Sequence, residues 1–302
     1  MPGVKRERDD SVGVLTLDEP ATLNAMTPDL LGDLATAIGE MNEDPQVRAL
    51  VLTGAGRGFC SGQNLKAAQI LGDDIAAGVM KYYWPTFKAM RECRVPIVVA
   101  VNGVAAGGGF SLAMAGDMIV AARSARFIQV FSRIALVPDL GSTWLLPRLV
   151  GRQRALELMM TNEPLTADQA KEWGLVREVF DDAALRDGAL DLARKLASGP
   201  TRALVATRRL IDESEHASYA DQFRREIETQ AEIRLSADAV EGRNAFLEKR
   251  AVHRTLSKGS CNMKIDNVAD LIAETLAQAG VKRIFGAVGD SLNGLTDALL
   301  SR

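Results

Sequence analysis

Histidine is nearly missing from this chain: His216 and His253 are the only two in 302 residues. A Ser-His-Asp relay, a Cys-His pair or a histidine-rich metal site therefore has almost no material to be built from. Cysteine is equally sparse. Cys60, Cys93 and Cys261 are odd in number and widely scattered, which excludes a disulfide framework or a zinc site and reads as reduced thiols. No apolar run approaches the roughly 20 residues of a membrane-spanning helix. The opening MPGVKRERDDSVGV also lacks the apolar core of a secretion signal, so a cytoplasmic location is expected. Charge of one sign is lacking too: a formal net charge of -3 gives no electrostatic reason to expect nucleic acid or an anionic membrane as partner. What remains is ordinary globular composition, 47% hydrophobic and 25% charged, with material for a sizeable core. With histidine scarce, acid and base work falls mostly to carboxylates.

Apolar β-branched runs alternate with helical patterns along the first half. VGVLTL (12 to 17), VRALVLTG (47 to 54), VPIVVAVNG (95 to 103) and DMIVAA (117 to 122) read as strands, and residues 28 to 43, 73 to 93 and 107 to 115 as helices. This alternation predicts an α/β fold, a sheet flanked by helices. From about 152 the chain turns helical, over 152 to 160, 166 to 173, 181 to 198, 200 to 212, 219 to 235 and 237 to 250, with one short strand, LVREVF (175 to 180). The polar stretch TLSKGSCNM (255 to 263) reads as a linker.

Two glycine-containing loops follow strands. GAGRGFCSGQNL (54 to 65) lets the backbone turn sharply and approach a ligand closely. NGVAAGGGFSLAMAGD (102 to 117) runs from a strand into a helix whose first amides, near Gly107 to Gly109, attract an anion or a developing oxyanion. No Lys-Ser/Thr follows the glycines, so a phosphate-cradling P-loop is poorly supported. As glycines alone, either loop serves equally well as a close packing contact. A third stretch, LVPDLGSTW (136 to 144), puts a single carboxylate, Asp139, beside apolar residues at a tight turn. Asp139 there is either a cap for the helix that begins near Ser142 or a general base held with little hydration.

These stretches, with PIVVAVNGVAAGGGFSLAMAGDMIVAARSARF and LTADQAKEWGLV, resemble the crotonase (enoyl-CoA hydratase/isomerase) superfamily in order and spacing over roughly residues 10 to 255. Within it the likeness is greatest to the ring-epoxide isomerases of phenylacetate breakdown. The resemblance implies a β-β-α spiral core with a C-terminal helical region, assembled as a homotrimer or hexamer. It implies an acyl-CoA thioester substrate and no cofactor, coenzyme A being part of the substrate. It assigns the two N–H groups that hold the thioester carbonyl to Gln63 and Gly108. Substrate contacts are expected from Ser61, Gly62, Gln63, Asn64, Leu65 and Lys66 in the first loop and from Gly107 and Gly108 in the second. Phe131, Trp144 and Leu145 are candidates for the acyl pocket, and Lys66 and Lys249 for the coenzyme A phosphates.

Two departures from the family pattern carry information. Asn64 stands where the first motif usually has Asp, and is read as a structural substitution able to accept local backbone hydrogen bonds. Hydratases that resemble this chain carry two glutamates, at positions that are Ser111 and Phe131 here. Neither can activate water, so water addition is disfavoured, and the resemblance to the ring-epoxide isomerases makes Asp139 the acting base. The expected reaction is proton transfer on carbon through a thioester enolate, on an aromatic ring 1,2-epoxide of acetyl-CoA. A Δ3,Δ2-enoyl-CoA isomerase, a hydratase-like enzyme, a hydrolase or dehalogenase with Asp139 as nucleophile, and a non-catalytic acyl-CoA-binding protein remain as alternatives.

The last forty residues, MKIDNVADLIAETLAQAGVKRIFGAVGDSLNGLTDALLSR (263 to 302), resemble the start of a thiamine-diphosphate enzyme of the pyruvate oxidase/decarboxylase type. The division expected is an acyl-CoA domain over 1 to 258 and an appended fragment over 259 to 302, too short to bury its apolar face alone. A chain ending at Lys258 is expected to fold, assemble and turn over acyl-CoA like the full chain. Calorimetry on the full chain with magnesium present is expected to register no thiamine-diphosphate binding; saturable binding would contradict the reading of the tail as a remnant.

Overall fold

The computed structural model describes residues 3 to 252. The appended fragment and Cys261 lie outside the described residues. Strands β1 (Val4–Asp9) and β2 (Val12–Leu17) form an antiparallel hairpin, and α1 (Pro28–Glu43) follows. Its N-cap is Thr27, whose side chain accepts from the Leu30 N–H, with Pro28 at the first helical position where a missing donor costs nothing.

From there the chain repeats one motif: a strand in a large sheet, a short strand in a second sheet, then helix. The first turn is β3 (Ala49–Gly54), β4 (Gly58–Cys60), then α2 (Ile75–Tyr82) and α3 (Trp84–Arg91). The second is β5 (Ile97–Val101), β6 (Val104–Ala106) and α4 (Gly108–Met114). The third is β7 (Met118–Ala122), β8 (Arg126–Ile128), then α5 (Ser142–Val150) and α6 (Arg152–Thr161). Strand β9 (Leu165–Thr166), α7 (Ala167–Glu172) and β10 (Glu178–Phe180) complete the two sheets, and α8 (Leu185–Ala197) packs against β3 and β5. The large sheet runs β1-β2-β3-β5-β7-β10, parallel except for β1; the small one runs β4-β6-β8-β9, parallel except for β9. This is the β-β-α spiral that the resemblance implies. Helices α9 (Thr201–Ser214), α10 (Tyr219–Ile233) and α11 (Ala237–Glu248) form the C-terminal helical region.

The continuous apolar strands were readable because they are covered on both faces: all five residues of β5 are buried. Five strands were not predicted, for two reasons. Strand β1 reads VKRERD and is an edge on which Lys5 to Arg8 are exposed and Val4 is buried. Its charges are paired off, Lys5 with Asp18 at 2.8 Å, Arg6 with Asp33 at 2.5 Å and Glu7 with Arg186 at 2.7 Å, which suits an edge that must not pair with another chain. The others, β4, β6, β8 and β9, have three residues or fewer, too few to show a period. The helix expected over 73 to 93 is two helices, because Pro85 at the start of α3 has no N–H to continue the ladder from α2.

Helix α9 is fixed to the spiral by ion pairs. Arg208 meets Asp117 at 3.0 Å, Arg91 meets Asp212 at 2.6 Å and Arg148 meets Glu215 at 2.8 Å. Burial raises the Asp117 carboxyl above its ordinary range, while Arg208 and the Ile97 N–H pull it back. Among the described residues no helix is long and apolar enough to cross a membrane. Cys60 and Cys93 are buried free thiols.

Asn24 ties the chain before α1 to the first glycine loop. It is fully buried; its Oδ1 accepts from the Glu19 N–H at 2.8 Å, and its Nδ2 faces the carbonyls of Gly58 at 2.8 Å, Ala55 at 3.0 Å and Phe59 at 3.1 Å. Asn24→Ala would take a buried donor and acceptor away from these backbone groups, of which Gly58 O keeps Asn102 Nδ2 at 3.3 Å. Chemical denaturation should show a loss on the order of 3 kcal/mol.

Candidate active site

Two loops meet at the ends of β4 and β6. Gly62 has φ +89°, and a Cβ there would lie 2.6 Å from the Ala106 carbonyl oxygen and 3.4 Å from the Gly108 nitrogen. Only glycine allows that approach. Gly108, the first residue of α4, is packed from the other side by side chains: a Cβ would meet Met26 Cε and come to 3.0 Å from Leu140 Cδ1. The residue that joins the loops is Met26, fully buried. Its N–H donates to Gly62 O at 2.8 Å, its carbonyl accepts from the Asn64 N–H at 2.9 Å, and it forms an isolated parallel bridge with Gln63.

This arrangement leaves two donors over. Among the described residues no acceptor takes the N–H of Gln63, which the bridge turns away from Met26, or that of Gly108 at the head of α4. Unsatisfied N–H groups at such a place suit an anionic oxygen. Asn64 follows Gln63 and caps the 3-10 segment Leu65–Leu71, its Oδ1 accepting from the Lys66 N–H at 3.1 Å. Ser61 donates its hydroxyl to Thr22 O at 3.0 Å. Leu65 and Lys66 are exposed at the loop's outer side.

Asp139 enters from a turn whose next two residues, Leu140 at φ +50° and Gly141 at φ +83°, are both left-handed. For leucine that conformation is costly, about 1–2 kcal/mol, and the leucine side chain is what packs on Gly108. The Asp139 carbonyl, not its carboxylate, caps α5: it accepts from the Ser142 N–H at 3.0 Å and from Ser111 Oγ at 3.2 Å. The capping role that competes for Asp139 thus uses the backbone and leaves the side chain available. Asp139 keeps exposed area, yet protein atoms crowd its carboxyl group. That loss of hydration raises its pKa above the ordinary aspartate value, against a smaller lowering by its own N–H.

Tyr83 is a residue that the motifs did not single out. It is 2% exposed, and its hydroxyl donates to Met26 O at 3.5 Å. Burial, and then the nearby Asp139 charge, push its phenol up to about 12. Tyr83 and Met26 were missed because each is an ordinary apolar-pattern residue locally; their significance is which loop they touch. Cys60, at the base of the first loop, is also pushed up to about 12 by burial and is inert as a nucleophile.

Phe131 is buried, with its ring edge toward Gly107. Trp144 and Leu145 line an apolar cavity of about 440 Å³ with Trp84, Phe87 and Leu140. The Trp144 ring also carries Arg148, whose guanidinium lies 4.2 Å from the ring centre. Lys249 is exposed at the C-cap of α11, where it has φ +53°. The structure therefore gathers Gln63, Gly107, Gly108, Phe131 and Asp139.

Comparison with known proteins bears on the family and the fold. A family model described as Enoyl-CoA hydratase/isomerase matches residues 7 to 255. The 1,2-epoxyphenylacetyl-CoA isomerase of Escherichia coli is 41% identical over 244 residues, 80% of this chain and 93% of the relative. The mitochondrial enoyl-CoA hydratase of Pongo abelii is 32% identical over 247 residues, 82% of this chain and 84% of the relative. The solved structure of an enoyl-CoA hydratase from Polaromonas sp. JS666 superposes with a TM-score of 0.79 at 31% identity, covering 83% of this chain and 99% of that one. With its spiral, its two abutting loops and this match over most of its length, the chain belongs to the enoyl-CoA hydratase/isomerase family and has the crotonase fold.

Proposed function

We propose that this protein is an acyl-CoA isomerase in which the N–H groups of Gln63 and Gly108 hold the thioester oxygen and Asp139 moves a proton on carbon. The observation that carries the reading is a partly dehydrated carboxylate, Asp139, at a turn packed against Gly108, with both neighbouring N–H groups left unsatisfied. The two positions at which resembling hydratases keep glutamates are Ser111 and Phe131, buried and unable to ionise near neutral pH. An enzyme with one carboxylate and no second acid to activate water is suited to isomerisation.

The substrate we infer is 2-(1,2-epoxy-1,2-dihydrophenyl)acetyl-CoA, in keeping with the 41% identity to the E. coli isomerase. Asp139 takes a proton from the carbon between thioester and ring. The electron pair moves onto the thioester oxygen, where two preorganised donors stabilise it; each is worth about 3–4 kcal/mol of barrier. The pair then returns through the conjugated system as the bicyclic epoxide opens to the seven-membered oxepin, and the Asp139 carboxyl gives its proton to a ring carbon. Atoms and electrons are conserved, and no cofactor is consumed. A 3-enoyl-CoA would use the same carboxylate to return the proton two carbons away, and turnover of the two thioesters side by side distinguishes these substrates.

Lys66 is proposed to meet the coenzyme A phosphates from the loop's outer side. Exposed apolar residues on the C-terminal helices, Phe246 at 83% and Leu247 at 71% among them, support assembly as a homotrimer or hexamer, since such side chains gain about 1.5–3 kcal/mol each on full burial.

Asp139→Asn should lower isomerisation, and deuterium exchange beside the thioester, by about 10³-fold while acyl-CoA affinity stays within a few-fold. Near-normal turnover in this variant would remove Asp139 from the mechanism. A second expectation follows from the raised pKa. Protonated Asp139 suits the fold better than ionised Asp139, so its contribution to stability is fully present below the unfolded value of about 3.9 and lost as pH rises through the higher folded value. Thermal unfolding should therefore find Asp139→Asn more stable than the parent at neutral pH, with the difference vanishing near about pH 3. The acidic limb of kcat/KM should sit above the ordinary aspartate range.

A further inference from the structure

We propose that Ser111 is a positioning residue for Asp139: its hydroxyl, oriented by Ser142 and Gln129, holds the Asp139 turn at a set distance from the Gly108 N–H. The proposal rests on the reading of Asp139 as the base.

Three polar side chains, Ser111, Gln129 and Ser142, are fully buried beneath that turn. Ser111 Oγ lies 3.2 Å from Asp139 O and 2.8 Å from Ser142 Oγ, and Gln129 Nε2 lies 3.2 Å from Ser142 Oγ. Each hydroxyl has one proton to give. The Asp139 carbonyl can only accept, so the Ser111 proton goes there. The short contact between the serines then requires Ser142 to donate to Ser111. Ser142 Oγ is left to accept, and the Gln129 amide supplies the donor. One ordering satisfies all three contacts at once: Gln129 to Ser142 to Ser111 to Asp139. The alternative acceptor for Ser111, Gly107 O, is farther away at 3.5 Å.

Placement gives this chain its consequence. Ser111 is three residues after Gly108 on α4, so its hydroxyl and the Gly108 N–H belong to one short rigid element. Ser142 begins α5 and Gln129 precedes the 3-10 segment Val130–Ile134. Three separate elements thus converge on a turn that carries a left-handed leucine, a conformation that surrounding contacts must impose. The arrangement is also an expensive way to fill space. Gln129 Oε1 is buried without a partner, a cost of about 1–3 kcal/mol that apolar residues would avoid. A purely space-filling core has no use for a directional chain ending on the backbone of the one carboxylate at the site.

The test is a double-mutant cycle on the full chain, read as deuterium exchange beside the thioester of phenylacetyl-CoA, which offers an acidic methylene but no epoxide. Ser111→Ala should lower kcat by about 10- to 100-fold, the usual consequence of a misplaced catalytic group, with KM within about threefold. In the Asp139→Asn background the same substitution should cost nothing further, because the group it positions is gone. Unchanged kcat in Ser111→Ala, or an equal loss in both backgrounds, would overturn the proposal. Parental exchange in Asp139→Asn alone would instead overturn the base assignment. Should Ser111→Ala fail to fold, Ser142→Ala enters the same cycle, since it removes the donor to Ser111 and carries the same expected and contrary results.

Discussion

The close approach of two backbone loops is the constraint on which the rest depends. Two N–H groups, from Gln63 and Gly108, stand at that approach unsatisfied by protein among the described residues, which is an unfavourable state unless something else holds the loops. Met26 does so. Its backbone pairs with the strand-like stretch around Gln63 while its side chain packs on Gly108, so one buried residue fixes both partners without occupying either donor. Gly62 and Gly109 are required because a Cβ at either place would run into the other loop's backbone, at the Ala106 and Cys60 carbonyls. Asn24, two residues before Met26, anchors the same segment to the carbonyls of the first loop.

The spiral supplies what a single loop could not. Each pass through the two sheets brings a strand end to the same edge, so β4 and β6 present their following loops side by side. The third pass leads to the turn that carries Asp139. A carboxylate delivered by a different pass can be partly dehydrated without a cation to neutralise it, and its raised pKa comes from crowding rather than from a like charge. Such a carboxylate suits the role of base proposed for Asp139. The buried serines and Gln129 beneath the turn join the pass that carries Gly108 to the one that carries Asp139.

Much of this was legible in the residues, and the limits have definite causes. The long apolar strands β2, β3, β5 and β7 and helix α1 could be read because their periods extend over five residues or more. The short strands of the second sheet could not, since three residues carry no period, and the charged edge strand β1 resembles a solvated loop. The break between α2 and α3 was written in Pro85 and simply outweighed by the helical pattern on either side. Among site residues, the glycines and Asp139 stood out because their types are unusual in their settings. Met26, Tyr83, Ser142 and Gln129 did not, because their importance lies in partners far away along the chain.

The amino-acid sequence by itself determined the alternation that makes a spiral, the scarcity of histidine that leaves acid–base work to carboxylates, and the loop glycines without which two backbones could not touch. Tertiary structure alone decided which donors remain free, that the Asp139 carbonyl rather than its side chain caps α5, and how far its carboxyl group is dehydrated. The reason is physical: backbone propensity and periodicity act over a few residues, whereas hydration and hydrogen-bond satisfaction depend on every atom within a few ångströms, and here those atoms come from segments as distant as Met26, Tyr83, Ser111 and Ser142.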